Sequence, residues 1–316
     1  MKRFAFLASA GACVAAAGAR VAVAAAESDI ALQTPSGTIY GTLALPAKLP
    51  APVVLIVAGS GPVDRNGNAG MLQTNTYSLL ARALAQRGIA SVRYDKRGVG
   101  ASAMPATLEK DLRVETYADD VAAWVRQLTS DKRFSRTIVA GHSEGSLLGI
   151  LALQQAKANA FVSLEGAGRP IGVVLDEQLK KRLSPDLDKK AEAVVAQLEQ
   201  GKTVADPPPE LLALFRPSVQ PYFISLMKYE PAKEIAKLTV PVTIVQGTAD
   251  AQVTMDDANA LKGGAPSAKL VVVQGMNHVL KHAPDTSSQA AIAAGYTDPS
   301  LPIEPQVVDA IVAASQ

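Results

Sequence analysis

The chain is poor in the residues that carry sulfur and metal chemistry. Of its 316 residues, one is cysteine and three are histidine. The cysteine, Cys13, lies in the first segment. Everything beyond that segment can form no disulfide, no thiolate metal site and no cysteine nucleophile. No cluster of His, Asp and Glu has metal-ligand spacing, and no Gly-Lys-Ser/Thr follows a glycine-rich loop, so neither a metal nor another cofactor is expected. Dense runs of Lys or Arg are missing, which removes the electrostatic reason to expect nucleic acid or an anionic membrane as a partner. Repeats and low-complexity tracts are absent after the leader. What is present is an ordinary globular balance, 48% hydrophobic and 19% charged, in a chain long enough to bury a sizeable core.

The first segment reads separately. Lys2 and Arg3 precede an apolar, alanine-rich run from Phe4 to about Gly18, and Val23-Ala24-Ala25-Ala26 comes before the first acid, Glu27. A basic start, an apolar middle and small residues at the end are the layout of a secretory signal peptide. Cleavage is expected after Ala26, giving a 1–26 leader and an exported protein, periplasmic or secreted. A retained membrane anchor fits less well, because the apolar run is short for a span and Arg20 interrupts it. A lipoprotein site at Cys13 also fits less well, because Ala10 stands where such sites usually carry Leu. The whole chain has 31 basic and 29 acidic residues; without Lys2, Arg3 and Arg20 it has 28 against 29, a net charge of −1.

Beyond the leader, apolar runs alternate with helical patterns, which predicts an α/β fold with a mostly parallel sheet. Ile30–Gln33 and Thr38–Leu45 read as an opening strand pair. Val53–Val57, Ile89–Tyr94, Arg136–Ala140, Ala160–Leu164, Val240–Gln246 and Lys269–Gln274 read as short buried strands. Tyr77–Gln86, the segment carrying Val114, Val121, Trp124, Val125 and Leu128, and Gly145–Gln155 read as helices, with a last helix from about Gln306 to Ala314. Residues 169–238 lack strand signals and are punctuated by proline. They read as a helical insertion between two strands.

Gly141-His142-Ser143-Glu144-Gly145 matches the nucleophile-elbow motif, and its context is a strand before and an apolar helix after, as the strained turn requires. A serine hydroxyl needs a base. His142 adjoins Ser143 and should point away from its hydroxyl, which leaves His278 and His282. His278 follows Gly275-Met276-Asn277 just beyond the last strand and is the expected base, while His282 reads as a surface residue. Asp250 stands after a strand and Gly247-Thr248-Ala249, placed to hold the base, whereas Asp256 and Asp257 read as first-turn acids of the next helix. The order Ser143, Asp250, His278 is the order such sites follow. An oxyanion needs two backbone donors. These are expected from the amides of Glu144 and of Ser60, in the loop Ala58-Gly59-Ser60-Gly61-Pro62. Asp64–Asn68 is expected to fold that loop on itself, and Asp95–Gly100 to brace a neighbouring loop.

With these residues in place, the chain resembles the bacterial α/β-hydrolase superfamily across the sequence beyond the leader. The loop Gly59-Ser60-Gly61-Pro62…Asp64-Arg65, the Gly-His-Ser-Glu-Gly elbow and Asn277-His278-Val279-Leu280 look like its carboxylesterase, or serine aminopeptidase-like, branch. The resemblance implies an α/β-hydrolase fold, a mostly parallel sheet flanked by helices, with core residues 27–168 and 239–316 and a helical cap at 169–238. It implies hydrolysis of small acyl esters through an acyl-enzyme. Many relatives carry His-Gly at the oxyanion loop, and here Ala58 precedes Gly59, so a side chain that often braces the loop is missing. Two other readings stay open. One is a short-peptide amidase or aminopeptidase on the same triad, with Glu144 or Glu165 anchoring a substrate amine. The other is a catalytically silent binding protein of the same fold. Leu211, Leu212, Phe215, Tyr222, Phe223 and Met227 could line an acyl pocket or form the core of the cap.

Overall fold

Strand β3 (Ala51–Val57) shows why the central strands are apolar without alternation. Val53, Leu55 and Val57 enter one hydrophobic core, while Val54 and Ile56 enter another on the opposite face. A strand buried on both faces favours apolar side chains at successive positions. The computed structural model describes residues 26–103, 108–283 and 288–316. The 1–26 leader expected from the sequence, Cys13 included, lies outside the described residues apart from Ala26.

The main sheet has eight strands. They are β1 (Ala26–Thr34), β2 (Gly37–Leu45), β3, β4 (Ala90–Tyr94), β5 (Phe134–His142), β6 (Ala160–Leu164), β7 (Val242–Gly247) and β8 (Lys269–Val273). Their spatial order is β1-β2-β4-β3-β5-β6-β7-β8. β1 and β2 form an antiparallel hairpin, β2 is antiparallel to β4, and every later pairing is parallel. A two-stranded ribbon, Asn68–Ala69 with Leu72–Gln73, sits in the loop after β3. The two-residue strands are too short to leave a periodic signal in the sequence.

Helices cover both faces. α1 (Thr76–Gln86) and α11 (Pro305–Ala314) pack Leu80, Leu84, Val307 and Ile311 on one side. α2 (Val114–Ser130), α3 (Glu144–Leu153) and α9 (Met255–Gly264) pack the other side, with Trp124 fully buried. α3 is apolar all round because it is enclosed all round: each residue from Gly145 to Ala152 is buried. α10 (Gln289–Thr297) precedes α11 and had no clear signal in the sequence.

Between β6 and β7 the chain leaves the sheet. α4 (Ile171–Lys180), α5 (Pro185–Glu199), α6 (Leu212–Phe215), α7 (Gln220–Leu226) and α8 (Pro231–Ile235) fill this interval, and no strand interrupts them. They have a small core of their own, made by Ala191, Val194, Val195, Leu198, Leu211 and Phe215. The entry to this region is tied to the sheet domain. The Asp257 carboxylate, wholly buried, accepts the amides of Gly168 and Arg169 and pairs with the Arg169 guanidinium at 2.9 Å.

Candidate active site

Ser143 stands between β5 and α3 with φ 55° and ψ −123°, a conformation that L-residues adopt only under constraint. The constraint comes from close backbone packing on both sides. A Cβ at Gly141 would meet the Gly145 carbonyl oxygen at 2.2 Å, and a Cβ at Gly145 would meet that of Val57 at 2.3 Å. The turn therefore presents the Ser143 side chain beyond the sheet while its amide bonds Leu164 O at 2.9 Å. The loop after β3 lies against it: a Cβ at Gly59 would fall 3.1 Å from Ser143 Cβ.

Asp250 and His278 are brought together from the ends of β7 and β8. His278 Nδ1 lies 2.7 Å from Asp250 Oδ2. The other Asp250 oxygen accepts the amides of Gln252 at 2.7 Å and Val253 at 3.0 Å. Burial resists ionisation of Asp250, but the charge and hydrogen bond of His278, together with hydrogen bonds from Glu165 and the Val253 amide, outweigh it and bring its pKa down to about 2. An ionised Asp250 keeps the imidazole hydrogen on Nδ1 and leaves Nε2 as the basic nitrogen. Ser143 Oγ makes no hydrogen bond to His278 in the described structure. The His278 loop is firmly held. Asn277 Oδ1 accepts the amides of Val279 and Lys281, and the buried Lys281 ammonium donates to Thr74 O at 2.7 Å and Asp298 O at 2.9 Å. His282 is exposed and pairs with Glu304.

His142 turns its ring to the loops around Ser143 and ties three of them together. Its Nε2 lies 2.7 Å from the His278 carbonyl oxygen, which can only accept, so Nε2 carries the hydrogen. Its Nδ1 then accepts from Tyr77 Oη at 2.8 Å, and Tyr77 Oη accepts the Gly59 amide at 3.0 Å. Burial, reinforced by the charge of His278, lowers the His142 pKa to about 3, so this bridge is neutral. Sequence reasoning gave His142 an orientation but missed its bridge, and it read Tyr77 only as the start of a helix.

A second missed residue is Lys96. Its ammonium, 2% exposed, donates to Gly59 O at 2.5 Å and lies 3.8 Å from the Glu144 carboxylate. In a trans peptide the carbonyl and the next amide point in opposite directions. Holding the Gly59 carbonyl toward Lys96 therefore turns the Ser60 N–H the other way. The brace that Ala58 cannot supply comes from Tyr77 and Lys96. The rest of the segment after β4 braces loops: Asp95 accepts the Arg65 amide and pairs with its guanidinium, each at 2.8 Å, and Arg97 pairs with the buried Asp120. Asp64 Oδ1 accepts the amides of Asn66 and Asn68, folding its loop on itself.

Ser60, Ser143 and Glu144 line a cavity of about 570 Å³. Ile171, Val174, Leu175, Tyr222, Phe223 and Leu226 supply its apolar wall from the helical insertion. Of the other apolar candidates there, Leu211 and Phe215 are buried in the insertion's own core, Met227 packs against that core, and Leu212 is exposed.

Glu165, Asp250 and His278 also form a cluster whose ligand-type atoms lie within 4.8 Å of one another, a spacing that could hold a metal ion. Hydrogen bonds already account for it: His278 Nδ1 is paired with Asp250, and Glu165 accepts the Gly247 amide at 2.9 Å and Gln246 Nε2 at 2.5 Å.

The strand order, the elbow and the flanking helices define an α/β-hydrolase fold. A family model described as "Serine aminopeptidase, S33" matches residues 70–195, the stretch that contains the elbow. Esterase EstD of Thermotoga maritima is 32% identical over 234 residues, which make up 73% of this chain and 55% of that protein. The chain thus spans about half the length of this curated relative. Est1E from Butyrivibrio proteoclasticus, in a structure with ferulic acid bound, aligns with a TM-score of 0.57 at 16% identity, over 89% of this chain and 99% of that one. The Pyrococcus furiosus esterase Pf2001 aligns with a TM-score of 0.53 at 17% identity, over 81% and 85%. At such identities these two structures speak for the fold. The chain thus has the fold of the α/β-hydrolases, and its matched stretches are similar to serine aminopeptidases and to an esterase.

Proposed function

We propose that the chain is an exported serine hydrolase that cleaves small carboxylic esters through an acyl-enzyme. The observation that carries this reading is the Asp250–His278 pair at 2.7 Å, set on the same sheet end as the strained elbow of Ser143. In the proposed reaction, His278 Nε2 takes the Ser143 proton as Oγ bonds to the ester carbonyl carbon. The amides of Ser60 and Glu144 bind the resulting oxyanion. The carbon–alkoxy bond then breaks, and His278 returns its proton to the leaving alcohol. Water, deprotonated by His278, attacks the acyl carbon, and Ser143 recovers the proton as the carboxylic acid departs. Asp250 stabilises His278 while it is charged. A cavity of about 570 Å³ falls within the range of roughly 300–1,000 Å³ for small-molecule sites.

The ester reading is favoured over an aminopeptidase one by the state of the two candidate anchors. Glu165 is wholly buried, and Glu144 faces the Lys96 ammonium, so neither offers a free anion to a substrate amine. Export rests on the signal-peptide layout of residues 1–26 and is tested by the mass of the secreted protein.

Labelling with a fluorophosphonate, followed by peptide mapping, tests the nucleophile. Modification at Ser143 is expected, and Ser143→Ala should lower aryl-ester turnover by at least about 10⁴-fold with the fold intact. A well-folded wild-type protein that is neither labelled nor active on aryl esters would instead be a silent binding protein. Faster turnover of amino-acid anilides than of aryl esters would favour the peptidase.

A further inference from the structure

Glu165 has no task in the triad, yet its position is costly. It follows β6 directly, its φ is +50°, and it is wholly buried. Positive φ in a bulky non-glycine residue and burial of a carboxyl group are each unfavourable, and they persist only where the surroundings enforce them. The surroundings here are specific: the Gly247 amide and the Gln246 side-chain amide both donate to the carboxyl group. These contacts hold it so that one of its oxygens, one Asp250 oxygen and a His278 ring nitrogen lie within 4.8 Å of one another.

Two buried carboxyl groups this close cannot both ionise without large repulsion. Asp250 has the better claim to the charge, since it holds His278 and two backbone amides. The proton therefore stays on Glu165. Burial first, and then the Asp250 charge, raise its pKa well above the usual carboxylate range. Among the described residues, the titratable groups facing Glu165 are Asp250 and His278, with Tyr296 of α10 at longer range.

We propose that Glu165 is a positioning residue for His278: as a neutral carboxylic acid it donates a hydrogen bond to the Asp250 carboxylate, steadies it against the imidazole, and replaces it as the acid when Asp250 is removed. This rests on the serine-hydrolase reading and adds a fourth member to the hydrogen-bonded line. A neutral donor restrains Asp250 without competing for the His278 hydrogen. Removing Asp250 leaves the burial but removes the repelling charge, and the charge that His278 gains during the reaction then favours ionisation of the remaining carboxyl group beside it.

The test compares wild type, Glu165→Gln, Asp250→Ala and the double variant on an aryl ester. Fluorophosphonate labelling of wild-type Ser143 comes first, because its failure would remove the serine-hydrolase reading whatever Glu165 does. Given labelling, Glu165→Gln should lower kcat by about two- to fivefold, since the amide keeps a donor for Asp250 but gives up one acceptor of the Gly247 and Gln246 amides. Asp250→Ala should retain at least about 30-fold more kcat than the double variant, with KM alike in the two. A double variant no slower than Asp250→Ala would overturn the proposal, because a merely structural glutamate adds nothing to that residual rate. Should the Gln variants fail to fold, carboxyl carbon NMR of the wild type decides. One glutamate still in the neutral acid form near neutral pH is expected, and ionisation of every glutamate would overturn the assignment.

Discussion

The loops beneath the cavity and the helices above it are built in opposite ways. The loops at the ends of β5, β6 and β8 contain three non-glycine residues at positive φ, Ser143, Glu165 and Leu280, whereas the only positive φ in residues 169–238 belongs to Gly201. Beneath, buried polar groups are held by hydrogen bonds: His278 to Asp250, His142 to Tyr77 and the His278 carbonyl, Lys96 to Gly59. Above, regular helices pack on one another through Val194, Val195, Leu198 and Phe215. Strain survives where a sheet fixes both flanks of a turn, and the proposed chemistry sits there. A helical layer held by apolar contacts can change its side chains without disturbing that geometry. On the proposed function, the difference gives reaction rate to the lower layer and substrate choice to the upper one.

Lys96→Met tests the first assignment most sharply. Freeing the Gly59–Ser60 peptide should lower kcat by about 10- to 100-fold, since one oxyanion donor loses its fixed direction, with KM changed by less than about threefold. A rise in KM at constant kcat would move Lys96 to substrate binding and blur the division between the layers.

His142 gives the next effect, on stability. Its folded pKa of about 3 lies below the ordinary 6.5, so between these values the unfolded chain binds a proton that the native chain refuses. The His142 contribution is complete above pH 6.5 and is lost as pH falls toward 3. Glu165 acts in the opposite sense: its raised pKa makes its contribution complete below the ordinary 4.5 and lost as pH rises through its folded value. The two overlap, so His142 is read by difference. The stability of wild type minus that of His142→Asn should rise by about 1.4 kcal/mol per pH unit across the His142 window, measured by urea unfolding. A flat difference would mean that His142 is protonated in the native state and the neutral bridge is wrong.

The smallest change is expected above. Phe223→Ala enlarges the apolar wall and should shift kcat/KM toward longer acyl chains by about five- to tenfold, with kcat on an acetyl ester little altered. An unchanged chain-length profile would show that the cap does not touch the acyl group.

Much of this was legible in the sequence because it is local. The elbow is five consecutive residues, and Asp250 and His278 each follow an apolar strand within a few positions. Strand and helix periods reach into 169–238, where Leu187, Ala191, Val194, Val195 and Leu198 mark α5. The docking of that helix and the side chains it turns toward the cavity left no such mark. Leu211 and Phe215 went to the core of the cap, while Tyr222 and Phe223, equally apolar in the sequence, line the cavity.

The braces of the site were illegible for a further reason. The hydrogen bonds of Lys96 to Gly59, Tyr77 to His142 and His142 to His278 join residues 37, 65 and 136 positions apart. Glu165 reaches Gly247 across 82. Sequence by itself determined the layered α/β architecture, because burial on two faces demands continuous apolar strands and the helices must cover them. It also marked the candidate nucleophile, base and acid, because each stands at the end of a recognisable strand. Only the tertiary structure decided which amide, cation or second carboxyl group each of them faces. Those partners depend on distances of a few ångströms between separate loops, and no local pattern of residues encodes them.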